Sequence, residues 1–186
     1  RNFALIAHED LVTKIGGSQY LLTEALRVKS RHGYDEKFLA KAIQEGKRIL
    51  NQVGVNQVRQ GAVLHGQEFV TNEAGNNIYD ITSVALSEKK YKRKSKTTVV
   101  TDLRHESSQI TCDAGKATDI AHGDTILYEA PVIYAAQGIK VSVPDGKFER
   151  KMAQDQHESH TRIQKKNVLY TKNGGSGKSS TVQVQG

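Results

Sequence analysis

Residues 18–50 read SQYLLTEALRVKSRHGYDEKFLAKAIQEGKRIL, and the fold class turns on whether their apolar residues recur at a helical or a strand period. Gly16-Gly17 breaks the chain just before, and Ser18 is a suitable N-cap. Tyr20, Leu21, Leu22, Ala25, Leu26 and Val28 then recur at helical spacing until Gly33 supplies a stop. Asp35 caps a second segment whose apolar face is Phe38, Leu39, Ala42 and Ile43, running on to Ile49-Leu50 and ending at Gly54. The spacing predicts two amphipathic helices joined through His32-Gly33-Tyr34, an αα-hairpin. In the DNA-binding version of that hairpin, Lys37, Lys41, Gln44, Lys47 and Arg48 of the second helix would face the groove.

Upstream, residues 3–7 (FALIA) read as a short buried strand. From Ala62 onward the apolar segments shorten, become rich in β-branched and aromatic residues, and are separated by Gly, Asn or Asp turns. Glu73-Ala74-Gly75-Asn76-Asn77 reads as a hairpin loop and Pro144-Asp145-Gly146-Lys147 as a tight turn. The expectation is an α+β protein. Residues 1–57 form a strand plus helical hairpin, and 58–147 an antiparallel β-rich meander or small barrel. Residues 148–186 form a polar helix or loop, a short strand at 168–170 and a flexible Gly/Ser tail. All three portions fit within one domain, given 186 residues.

Composition narrows the function classes. Cys112 is the single cysteine, so an intrachain disulfide and a multi-cysteine zinc site are both excluded, and a reducing compartment, cytoplasmic or nuclear, is expected. No apolar run approaches the roughly 20 residues that cross a bilayer as a helix, so no membrane partner is expected. Charge is unevenly spread. The stretch at 88–96 reads EKKYKRKSK, and its Lys89, Lys90, Lys92, Arg93, Lys94 and Lys96 account for +6 of the formal +7. Clustered cations focus potential and steer polyanions.

Three further patterns bear on chemistry. Asp80, followed by Glu88 and Lys90 as Glu-x-Lys, resembles the core motif of the PD-(D/E)xK nuclease superfamily. That resemblance implies a site in which the two carboxylates hold Mg and the lysine orients the attack of water. Residues 174–180 (GGSGKSS) look like the second half of a phosphate-binding loop, but Lys172 stands where its first glycine belongs. His157 and His160, three apart, would share one face of a helix and form part of a metal site.

The leading expectation is a non-catalytic nucleic-acid-binding protein without a cofactor, RNA ahead of DNA, that contacts backbone phosphates through Lys89, Lys90, Lys92, Arg93, Lys94 and Lys96, with Tyr91 placed to stack on a base. The alternatives are the metal-dependent nuclease using Asp80, Glu88 and Lys90, and a structural or assembly subunit such as a virion or multi-subunit component. The partner is a nucleic acid or another polyanion, and an oligomer is compatible with each reading.

Overall fold

Leu21 is 2 % exposed while its neighbours Tyr20 and Leu22 are 62 % and 42 % exposed. That is a period of two, so residues 18–50 are strands. In the computed structural model the backbone is described for residues 3–166 and 171–185, and none of it is helical. The αα-hairpin, the helix-turn-helix and the α+β class are therefore corrected to an all-β fold. The misleading feature is polar residues at inward positions. Ala42, Gln44, Gly46, Ile49, Asn51 and Val53 all point inward from one strand, and Gln44 and Asn51 interrupt the apolar alternation that would have marked it.

The chain winds as a coil of five rungs in which strands stack in parallel. The first rung is β1 (Phe3–Ile6), β2 (Asp10–Ile15) and β3 (Gln19–Leu22). The second is β6 (Ala42–Val53) and β7 (Gln57–Gln60), and the third β8 (Val63–Ala74) and β9 (Ile78–Ile81). The fourth is β12 (Gln109–Cys112), β13 (Ala117–Ala121) and β14 (Thr125–Glu129). The fifth is β15 (Val132–Ala135), β16 (Ile139–Ser142) and β17 (Lys147–Lys151). β6 pairs with β1, β2 and β8; β8 pairs with β12 and β13, which pair with β15 and β16. A second parallel sheet runs β3-β7-β9-β14-β17. The 58–147 portion is thus mainly a parallel coil, where an antiparallel meander or barrel was expected.

Between rungs, the coil alternates two kinds of corner. Rungs two and four turn directly into the next, through Gly61 and Ala130, both with positive φ (59° and 45°). Rungs one, three and five instead send out hairpins: β4 (Glu24–Ser30) with β5 (Gly33–Ala40), β10 (Ser83–Arg93) with β11 (Lys96–Glu106), and β18 (Ala153–Lys166) with β19 (Thr171–Gln185). These arms join into one antiparallel sheet, β4-β5-β10-β11-β18-β19. The segment expected as a polar helix is β17 and β18, and the Gly/Ser-rich residues 173–180 lie within β19. Residues 168–170 fall outside the described residues.

On the opposite corner the backbones approach too closely for side chains. A Cβ on Gly75 would lie 2.2 Å from the carbonyl oxygen of Gly54, one rung below. Glu73 to Asn77, expected as a hairpin loop, is this corner. Asn side chains lock it: Asn56 Oδ1 accepts from the Asn77 amide (3.1 Å), and Asn77 Oδ1 from the amides of Asp124 and Thr125 (3.0 and 2.8 Å). Such ladders satisfy corner amides that have no strand partner.

Inside the coil, a hydrogen-bonded spine runs across the rungs. Asn51 Nδ2 donates to Gln44 Oε1 (2.7 Å) and Asn72 Oδ1 (2.8 Å), and Asn72 Nδ2 donates to Asp119 Oδ1 (2.8 Å). Gln57 Nε2 donates to Gln19 Oε1 (2.8 Å) on its own sheet and to Asn72 Oδ1 (3.1 Å) on the first, joining the two. The apolar part of the interior forms two clusters, one that includes Leu21, Ile49, Leu64, Val70 and Ile110 and another that includes Ala74, Ile78, Ile126 and Tyr128. Burial of each large aliphatic side chain contributes roughly 1.5–3 kcal/mol.

Candidate nucleic-acid interface

The basic run forms the outer end of the second arm. β10 and β11 pair from Ser83↔Glu106 out to Arg93↔Lys96, leaving Lys94 and Ser95 as the turn. Lys94 has φ 49°, the left-handed region that glycine or asparagine usually fills in such turns. Strand alternation divides the run between two faces. Lys89, Tyr91 and Arg93 share one face with Thr98, Thr161 and Lys96, while Lys90 and Lys92 share the other with His160 and Arg162.

Charge is segregated along the arm sheet. Near the coil, cations and carboxylates are matched, Arg27 with Glu36 (2.9 Å), Arg104 with Asp35 (2.9 Å) and Lys41 with Glu106, and two histidines are hydrogen-bonded to carboxylates, His105 to Asp155 (3.0 Å) and His157 to Asp102. The hydrogen bond from Ser87, helped by Arg104 and Lys89, holds the Asp35 carboxyl below its ordinary range. Glu88 marks the boundary. Beyond it, Lys90, Lys92, Arg93, Lys94 and Lys96 are exposed and Lys89 is half-buried. Among the described residues none of the six is ion-paired to a carboxylate.

The first arm ends beside this run. β5 pairs with β10 only from Ser87↔Asp35 to Lys89↔Gly33, after which the Lys90 amide donates to the His32 carbonyl (2.6 Å). Gly33 makes the approach possible, since a Cβ there would sit 2.1 Å from the Glu88 carbonyl oxygen. Arg31 and His32, both exposed, therefore border the cationic end. They were missed in the sequence, as was Arg162, because register between arms is set by the coil and leaves no local signal. The His32 ring lies 4.7 Å from that of Tyr91, tilted by 38°.

The nuclease residues are not brought together. Asp80 is on β9 with its side chain inside the coil, where Oδ2 accepts from Arg59 Nε (2.9 Å). Glu88 and Lys90 are exposed on the arm, and five residues of strand carry the chain about 17 Å from Ser83 to Glu88. Arg59, also fully buried, spends its other nitrogens on Asp119 (3.0 and 2.5 Å), whose oxygens further accept from Asn72 Nδ2 (2.8 Å) and the Tyr128 hydroxyl (2.6 Å). Burial opposes the charge on Arg59, but the two carboxylates outweigh it and raise its pKa. Burial likewise opposes ionisation of Asp119, yet Arg59 and the donated hydrogen bonds hold that carboxyl below its ordinary range. At Asp80 burial wins over Arg59 and the pKa is raised, in keeping with an Oδ1 that has no hydrogen-bond partner.

The helical spacing assumed for His157 and His160 does not apply. On β18 an offset of three places them on opposite faces, and His157 is engaged by Asp102. Among the described residues no group of three or more His, Cys, Asp or Glu is arranged to hold a metal ion. Three of the helix-turn-helix cations are engaged too, Lys41 with Glu106, Arg48 with Asp10 (2.6 Å) and Lys47 near Glu9 and Glu68 (both 3.6 Å), while Lys37 is exposed and Gln44 is buried in the spine. The loop-like residues 174–180 open no helix, being part of β19. Cys112 is buried, its thiol donating to the Lys116 carbonyl (3.3 Å) and raised in pKa by that burial. No helix of the described residues is long and apolar enough to cross a membrane. Compared with known proteins, the chain matches no family model, no curated protein and no solved structure.

Proposed function

We propose that this chain is a non-catalytic nucleic-acid-binding module in which a stacked coil holds out a cationic arm to backbone phosphates, RNA ahead of DNA. The observation that carries the reading is the contrast along one sheet: paired charges next to the coil, and at its end Lys89, Lys90, Lys92, Arg93, Lys94 and Lys96 with no carboxylate in ion-pairing distance among the described residues. Cations left unpaired repel one another, a cost that an anionic ligand relieves while releasing its own counterions. A cytoplasmic or nuclear address belongs to the same proposal.

The test is a titration of single-stranded RNA at two salt concentrations, wild type against a variant with all six cations changed to Gln. Six phosphate contacts on a single strand predict a log–log salt slope of about −4, and a loss of two to three orders of magnitude in affinity between roughly 50 and 200 mM salt. The variant should lose most of both the affinity and the slope. Affinity that ignores salt, or survives the six substitutions, rejects the reading.

A structural or assembly subunit is the second reading, favoured by an outward-facing row, Tyr20-Val58-Tyr79-Leu127, that lines up across four rungs. Light scattering separates the two: a dominant large assembly, with no RNA binding by the isolated subunit, supports this one.

A further inference from the structure

Tyr91 is an odd residue to find in the middle of a phosphate-binding run, because a phenol carries no charge to neutralise a phosphate and 41 % of the residue is exposed to water. Its surroundings hold it in place. The His32 ring covers part of it at 4.7 Å, and the Lys90 amide, bonded to the His32 carbonyl at 2.6 Å, ties the two arms together at that point. On the other side Thr98 and Thr161, in register with Tyr91, are joined hydroxyl to hydroxyl at 3.1 Å. Lys89 and Arg93 lie two residues away on the same face, each about 6.6 Å along the strand. An aromatic ring fixed between two cations offers a base a stacking surface and offers the flanking phosphates their counter-charges.

We propose that the ligand is specifically a single strand, with one base stacked on Tyr91 beside His32. This rests on the reading of the arm as a phosphate-binding surface and adds what that reading leaves open. A duplex keeps its base faces covered by neighbouring pairs, and a sulfated glycan or polyphosphate has no bases. Only an unpaired strand uses both the cations and the ring. The ring's position is fixed before binding, so little ordering cost is left for the ligand to meet.

The experiment compares the affinity of the whole chain for four probes at one salt concentration: oligoadenylate, an abasic phosphodiester of equal length, a blunt duplex and heparin. Wild type, Tyr91→Ala and Tyr91→Phe are used. Wild type should prefer oligoadenylate over the abasic strand by on the order of tenfold. Tyr91→Ala should lose that preference while binding the abasic strand as wild type does, and unchanged protection of the Lys90 amide from hydrogen exchange shows that its arm is still docked; Tyr91→Phe should retain the preference. Equal affinity for oligoadenylate and the abasic strand, or binding of duplex or heparin as tight as of oligoadenylate, overturns the stacking proposal and leaves phosphate binding standing. Failure of all four probes to bind in a salt-sensitive way overturns both.

Discussion

Replacing Arg59 with Met tests whether the charged centre of the coil is what holds its rungs in register. Methionine fills much of the space but supplies none of the donors that reach Asp119 and Asp80. Asp119 then sits buried beside Asp80 with no countercharge, and its least costly escape is to take up a proton. Keeping a carboxyl of ordinary pKa 3.8 protonated at pH 7 costs about 1.36 kcal/mol per pH unit, or roughly 4 kcal/mol. That agrees with the roughly 3–5 kcal/mol lost when one partner of a buried ion pair is removed. Asp80, already raised in pKa by burial, adds less.

The assay is urea denaturation followed by circular dichroism at pH 7 and pH 5. Because the penalty is mostly the cost of protonation, it should shrink by about 1.4 kcal/mol for each pH unit lowered. A triple variant, Arg59→Met with Asp80→Asn and Asp119→Asn, should recover much of the loss, since replacing a whole buried ionic group is far less costly than breaking it. A loss under about 1 kcal/mol at pH 7, or one equal at both pH values, refutes the reasoning.

Asp80 and Asp119 give the native protein opposite pH responses. Asp119, depressed in the folded state, contributes stability that is lost as pH falls below 3.8 toward its folded pKa; Asp80, elevated, contributes stability that is lost as pH rises from 3.8 through its folded pKa. Asp80→Asn should therefore abolish the second slope and leave the first, which denaturation across pH 3–7 reads directly; an unchanged upper slope assigns it to another group. Gly33→Ala should push the first arm off β10, since its Cβ would collide with the Glu88 carbonyl oxygen. Hydrogen exchange at the Lys90 amide should rise with little change in the coil, and unaltered protection there would show that the two arms are not docked through this contact.

Much of the chain's extended structure was legible, but its connections were not. Ile78-Tyr79-Asp80-Ile81 and Thr125-Ile126-Leu127-Tyr128 carry the β-branched and aromatic residues that mark strands, with Gly and Asn before them. Their pairing partners lie elsewhere. Gln57 faces Ile78 and Ile126 faces Phe148, 21 and 22 positions on, whereas Gln19 to Gln57 is 38 and Ile78 to Ile126 is 48 because arms intervene. A repeat interrupted every second turn shows no fixed period in the sequence. Residues 18–50 failed for another reason: the inward positions include Gln19 and Gln44, so the apolar pattern that remained fitted a helix better than a strand. The cationic run was visible as composition, while its neighbours Arg31, His32 and Arg162 were not.

The alternation of arms follows from strand spacing, and it explains why the candidate site is composite. Neighbouring strands lie about 4.8 Å apart, so two rungs of the coil rise about 9.6 Å, which is also the width of one two-stranded hairpin. Arms sent out from every rung would crowd, and arms from every third rung would leave a gap with two open edges. Arms from rungs one, three and five instead tile into a continuous six-stranded sheet, and the rungs between them close tightly at Gly61 and Ala130. The rise of the coil therefore places His32 of the first arm beside Tyr91 of the second, and Arg162 of the third across from Lys92 and Thr97. Register lost at the spine would appear at the arm ends as misplaced charge. A partly unfolded Arg59 variant should for that reason lose the base preference before it loses phosphate binding, because stacking depends on the position of a ring and the attraction of phosphates only on the sum of charges.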